Sequence, residues 1–272
     1  MSLVELLIAV ALTTIAVGVT TTFFQLSRRY MLNQELQIEA TNNAREAIDL
    51  VERDVRLSGA CLPTTGDFMS LDGHSNGNED DIYTRTGLVR PDMSCIQSAT
   101  TTSTPASGST INVGSASGFI IGQRGYIRNA SGTGEFFNVT SVDTTNNVVG
   151  RDANFSTDYA SGSGVYAVDD RKYYIYHWAA PWGDTPELMQ QVSGGTPQPF
   201  AVGLEKLDFS YQLKRNCPPC DTVTLPASDD EWRLVQEVFL TVTARSDHTL
   251  PDGTYYRRTM NVSIKPRNLL PQ

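Results

Sequence analysis

The chain has 272 residues and a formal net charge of −9, too long to be organised by one helix and too acidic for a general nucleic-acid-binding surface. Its abundant glycine, threonine and serine, with aromatics drawn mainly from tyrosine and phenylalanine, suit a β-rich exported head. Four cysteines fit an oxidising compartment.

The first element in chain order is MSLVELLIAVALTTIAVGVTTTFF, in which Glu5 is the only charged side chain. A run of this length crosses a bilayer as a helix, and a carboxylate at a membrane centre costs roughly 2.5 to 3.5 kcal/mol. Glu5 therefore either reaches the headgroups or has a partner. The basic start and small-residue cleavage site of a secretory signal peptide are absent from this stretch. The helical pattern runs on instead. Leu32, Leu36, Ala40, Ala44, Ile48, Val51 and Val55 recur every three or four residues, and Arg28, Arg29, Glu35, Glu39, Arg45, Glu46, Asp49 and Glu52 fill the other face. No proline occurs before Pro63. One helix over residues 1–57, on the order of 85 Å long, is expected, with 1–24 in an apolar medium and the remainder against a head of 58–272. Arg28 and Arg29 after the apolar run would by themselves hold the head in the cytoplasm, whereas the cysteines place it outside. A short basic leader removed before Met1 reconciles the two and leaves an α-amino group at the helix start.

MSLVE resembles the class III signal of type IV pilins and pseudopilins, where a basic leader is cut off before mature residue one and glutamate stands fifth. Met1 departs from the usual phenylalanine. NNAREAIDLVERDVRLSGACLP is similar to the end of the long helix in PilW-type minor pilins and J-type pseudopilins. GNEDDIYTRTG, KYYIYHW, PELMQ, PFAVGLEKLDFSYQL, WRLVQEVFLTVTARS and SIKPRN then follow in that family's order. The resemblance implies a non-enzymatic structural subunit of a type IV pilus-like filament without a cofactor. It further implies that Met1 is the residue processed by prepilin peptidase and methylated, and that Glu5 neutralises the amine of a neighbouring subunit. The implied partners are identical or homologous pilin subunits, the bacterial inner membrane before assembly, and the pilus assembly machinery. The resemblance leaves motility, cell adhesion, DNA uptake and secretion open as roles and implies a head that is periplasmic and then extracellular; a type II secretion pseudopilin is the rival within the class. Pilins often carry a proline near position 22, where this chain has Thr22. The cluster Thr13, Thr14, Gly18, Thr20, Thr21 and Thr22 nonetheless predicts local stretching from about Thr14 to Phe24 in the assembled state.

In the head, Leu207, Phe209, Tyr211 and Leu213 alternate with polar residues, and Leu234, Val238, Leu240, Val242 and Ala244 repeat the pattern with Gln236 as an exception. Lys172 to Trp178 reads as an aromatic-rich strand. An antiparallel sheet laid on the second half of the helix gives an α+β fold. SATTTSTPASGST is linker-like, and GFIIGQRGYIRN, EFFNVTSV, NVVGR and GVYAV read as short strands of a β-rich insert at about 98–168, in the manner of a small barrel. His74, His177 and His248 show no metal-ligand spacing. The acidic loop LDGHSNGNEDD offers weak calcium candidates in Asp72, Asn76, Asn78, Asp80 and Asp81, without EF-hand spacing, so a solvated loop is preferred. Four cysteines permit three pairings. Cys217 with Cys220 is the local choice, leaving Cys61 for Cys95. A CxxC can also be a redox centre, which keeps a membrane-anchored periplasmic redox protein using Cys217 and Cys220 as the alternative from another class. No helical periodicity follows CPPC, however, and a structural bridge is the expectation.

Overall fold

The computed structural model describes residues 3–75, 79–178, 185–215, 217–250 and 252–267. The N-terminal helix α1 runs unbroken over Leu3–Leu57. On its second half Ala40, Ala44, Ala47, Val51 and Val55 are fully buried, with Leu36, Ile48 and Leu50 beside them. Spacings of three and four put these on one stripe. The three alanines let the sheet approach closely, while each larger aliphatic contributes about 1.5–3 kcal/mol of gross burial. The helix ends where Gly59 takes φ 80°, a left-handed conformation that glycine adopts without a Cβ penalty. Its freed N–H donates to the Arg85 carbonyl (2.9 Å).

The chain continues through β1 (Leu71–His74), β2 (Asp81–Gly87), β3 (Gln97–Ala99), β4 (Thr110–Asn112), β5 (Arg124–Arg128), β6 (Gly134–Asp143), β7 (Val148–Arg151) and β8 (Gly164–His177). It then forms β9 (Pro186–Val192), β10 (Gln198–Val202), β11 (Leu204–Leu213), β12 (Thr222–Val223), the short helix α2 (Asp229–Arg233), β13 (Val235–Thr249) and β14 (Tyr255–Ile264). The fold is α+β. Strands β12-β11-β13-β14 form an antiparallel sheet whose buried Leu207, Phe209, Leu240 and Val242 meet the helix stripe in the main core.

Strand β8 is shared between two structures. Its first residues pair with β3 and β5, and its later ones pair with β2 and β9. From β8 the order β5-β6-β7-β4 leads around to a bridge between Thr100 and Val113, where the Thr101 N–H donates to Asn112 O and the Gly114 N–H to Ala99 O. That contact returns β4 to β3 and closes six strands into a small barrel. The ring holds its own core, including Ile111, Ile127, Phe137, Val149 and Tyr159.

Several sequence expectations need correction. SATTTSTPASGST is not a linker. Thr104 is buried and bridges to Tyr159, and the buried Arg151 donates to the Pro105 and Ala106 carbonyls (2.9 and 2.7 Å). GFIIGQ is not a strand, because Gly118 and Gly122 turn left-handed (φ 92° and 86°) and leave Ile120 and Ile121 exposed. Leu234 is not part of β13 but caps α2. The pairing of β11 with β13 shifts between Gln212 and Leu213, which puts Val235 opposite Leu213 and accounts for the exception at Gln236. Helix α2 is too short for periodicity, yet SDDE carries a start signal: Ser228 accepts from the Glu231 N–H, and Glu231 accepts from the Ala227 N–H (2.8 Å).

Two disulfides are present, Cys61–Cys95 and Cys217–Cys220. The first, with a sequence separation of 34, joins the end of the helix to the entry of the barrel. Gly87 makes room for it, since a Cβ there would lie 2.6 Å from the Cys61 Cβ. A loop of that size contributes roughly 3–4 kcal/mol by chain entropy. Replacing both Cys61 and Cys95 with alanine is expected to lower the free energy of unfolding by that amount in urea titration; a loss under about 1 kcal/mol would show that the loop is already held by its hydrogen bonds.

Burial of tyrosine phenols predicts an alkaline limit to stability. Burial, then the Asp67 charge, pushes Tyr126 up to about 12. Tyr173 and Tyr211 are also raised, chiefly by burial, then by Asp54 and Asp80 respectively. An unfolded tyrosine ionises near 10, so these groups contribute fully below that pH, and the contribution is lost as pH climbs toward and through 12. The melting temperature should be insensitive to these phenols below pH 10 and fall above it. The Tyr126 hydroxyl is buried without a hydrogen-bond partner, so Tyr126→Phe should reduce the alkaline fall without a loss of neutral stability. An unchanged alkaline slope in that variant would remove Tyr126 from the account.

Candidate assembly surface

The part of α1 that precedes the head has no cover. From Leu6 to Leu26 the large apolar side chains Leu6, Leu7, Ile8, Val10, Leu12, Ile15, Val17, Val19, Phe23, Phe24 and Leu26 are between 50 % and 67 % exposed. By length and composition this is one helix able to cross a membrane. Its threonines are internally satisfied: the hydroxyls of Thr14, Thr20 and Thr22 donate to the carbonyls of Val10, Ala16 and Gly18 four residues back, at 2.7–2.9 Å. Such bonding removes the hydroxyl's need for water. The single chain is helical through this stretch, whereas the expected stretching concerns the assembled state. Glu5 stands on this helix; its side chain, and Met1 altogether, lie outside the described residues.

At the other end, the helix is tied to the head by a charge that sequence reading missed. The Asp54 carboxylate is buried; it accepts from Arg53 Nε (3.0 Å), Arg171 Nη1 (2.9 Å) and the Tyr173 hydroxyl. Its sequence signal is the spacing of three and seven residues from Val51 and Ala47, which places a carboxylate within the apolar stripe. A second buried cluster sits where the barrel leaves the head. Asp170 pairs with Arg85 (3.3 Å) and Arg124 (3.0 Å), and Arg85 also donates to the Met69 carbonyl (2.9 Å).

The acidic-loop residues do not converge on a common point. Asp72 accepts from the Gly73 N–H (2.9 Å) and faces Arg85 (3.4 Å). Asp81 takes the His74 N–H and Lys172 (2.7 and 2.8 Å). Asp80 is buried and accepts the Phe209 N–H (2.8 Å), fastening the start of β2 to β11 through a parallel bridge at Glu79 and Leu207. Each carboxylate thus serves a protein donor, and among the described residues no group of three or more His, Cys, Asp or Glu is placed to hold a metal ion. Asn76 and Asn78 lie outside the described residues. His177 meets Glu79 (2.8 Å) and His74 meets Asp81 (3.0 Å). The Cys217–Cys220 bridge closes the turn after β11 and leads into β12, not into a helix.

The features that stand out among the described residues are an exposed apolar helical rod joined without a break to a disulfide-bonded head. No family model and no curated protein matches the chain.

Proposed function

We propose that the chain is a structural subunit of a type IV pilus-like filament, closest in character to the PilW-type minor pilins. The observation that carries the reading is the continuity of α1: one half is fully committed to the head, and the other exposes large apolar side chains over some thirty residues. The hydrophobic effect requires a cover for such a surface. Before assembly the cover is the bacterial inner membrane; in the filament it is the same helix of identical or homologous subunits. On this reading Glu5 offsets the Met1 amine of a neighbour after prepilin peptidase has removed a leader, and the disulfide-bonded head faces the periplasm and then the exterior. The head carries no reaction. Shearing intact cells and identifying the proteins of the released filaments tests the proposal. The chain should be present there and absent from the same fraction of a deletion strain; its confinement to the membrane fraction in cells that bear filaments would overturn it.

A further inference from the structure

Strand β8 is aromatic on both faces, and the core uses one of them. Tyr173 and Ile175 point inward with Leu188 of β9 and Ala201 of β10, against the buried stripe of α1. Successive side chains along a strand alternate, so Tyr174 and Tyr176 stand on the outer face, and Trp178 follows in the same phase just past the strand. The register carries that face across the sheet: Lys172 lies opposite Tyr83 of β2, and Tyr176 lies opposite Glu187 of β9, itself opposite Val202 of β10. Phe200 is the extra residue of a bulge at the same edge. Tyr176, Trp178, Phe200 and Val202 are between 40 % and 48 % exposed, and an exposed apolar patch of this kind marks an interaction site. The patch lies on the side of the sheet away from α1, so it stays open whatever covers the helix.

The rings and polar groups of this face hold one another in place. The Trp178 indole N–H donates to Glu187 (2.7 Å), and the Tyr176 ring packs edge-on to that of Trp178, 5.1 Å between centres. Lys172 meets Asp81 (2.8 Å) and lies 5.1 Å from the ring centres of Tyr83 and Tyr174. These contacts set the class of ligand by charge and donor. Lys172 is already matched by a carboxylate, whereas Glu187 meets no cation among the described residues, so the face disfavours an anionic polymer. A proline-rich peptide leaves its carbonyls unbonded and needs a donor beside the rings, but the indole N–H is committed to Glu187. An uncharged pyranose ring fits both conditions. Its C–H face carries slight positive charge and stacks on the negative face of an aromatic ring. Its hydroxyls can donate to Glu187 and to the side-chain oxygen of Gln191, whose amide N–H is turned to the Gly195 carbonyl (2.9 Å). Rings fixed in advance lower the ordering cost of binding. We propose that this outer face binds a neutral oligosaccharide, with its sugar rings stacked on Tyr176 and Trp178. The inference needs only the folded head and stands apart from the filament reading.

The experiment uses full-length protein in phosphatidylcholine proteoliposomes, titrated with the neutral hexasaccharides of glucose, mannose, galactose and N-acetylglucosamine and followed by saturation-transfer NMR. Saturation is expected to pass from aromatic protons to the ring C–H protons of at least one of these sugars. Affinity for that sugar should fall about tenfold in Tyr176→Ala and again in Trp178→Ala, while Tyr176→Phe, which keeps the ring, binds as the parent does. Both alanine variants should melt with the parent, because neither side chain belongs to a buried core. Binding of none of the four sugars overturns the proposal. Sugar binding indifferent to both alanine substitutions removes it from this face. Tighter binding of oligogalacturonate, an anionic sugar, overturns the charge argument, and binding of a decaproline peptide with the sugars silent gives the face to a proline-rich partner instead.

Discussion

Replacing Glu5 with glutamine should leave a folded, membrane-inserted protein that fails to enter filaments. The flanking residues Leu3, Leu6, Leu7 and Ile8 are all more than half exposed, so on the proposed reading assembly transfers this whole stretch into an apolar core. A terminal amine carried into that core without its carboxylate costs on the order of 3–5 kcal/mol, roughly 10²- to 10⁴-fold in incorporation. Glu5→Ala should behave likewise, because both variants remove the charge and leave the amine. Membrane insertion should not suffer, since each variant lowers the cost of burying the position. The head should melt as before; its contacts with α1 begin near Leu36, some thirty residues away. If Glu5 instead reaches the headgroups unpaired, Glu5→Gln loses no partner and assembles at least as well as the parent. Quantifying both proteins in sheared filaments, with head melting temperature as the control, separates these cases, and parental abundance of the glutamine variant would sink the charge pair.

The second large effect is expected at Asp170. Its side chain is 4 % exposed and that of Arg85 is 7 %, and the pair lies where β8 passes from the barrel into the head. The guanidinium of Arg85 sits 5.1 Å over the ring of Phe136 and 5.6 Å over that of Tyr83, so it has been taken out of water on several sides. Asp170→Ala strands that cation, with Asp72 at 3.4 Å as the remaining carboxylate. Breaking a buried pair in this way typically costs about 3–5 kcal/mol, and for a domain of this size should lower the melting temperature by roughly 10 °C. The pair itself is not a large source of stability, because desolvation offsets most of its attraction. Replacing both partners, as in Asp170→Leu with Arg85→Met, should therefore recover most of the loss. A thermal melt of Asp170→Ala within about 2 °C of the parent would show that Asp72 and the Met69 carbonyl suffice to hold Arg85; a double variant no better than the single one would show that Arg85 is not the stranded group.

What the sequence by itself determined is the set of features written in local periodicity. The 3.6-residue repeat from Leu36 to Val55 marks the face that α1 buries, whereas Leu32, in the same repeat, stays exposed. The uninterrupted apolar run before it marks the half that the head cannot cover. The period-two alternation in LDFSYQL marks β11 with its buried face. These signals are legible because helix and strand each impose a fixed angle per residue, so a buried face must recur at that interval. The tertiary structure alone decided the rest. β3 and β4 are three residues each, too short to display any period, and their role appears only when the bridge between Thr100 and Val113 closes the barrel. GVYAV and Lys172 to Trp178 read as two strands, one in the insert and one in the head, and nothing local reveals that they are the two ends of the single strand β8. Asp80, Asp81 and Asp72 look alike in an acidic loop, yet one fastens two sheets, one pairs with Lys172 and one faces Arg85. Whether a carboxylate is solvated, buried or paired is set by groups dozens of residues away, such as Phe209 for Asp80 and Arg171 for Asp54, and electrostatic energy depends on distance in space, not on spacing along the chain.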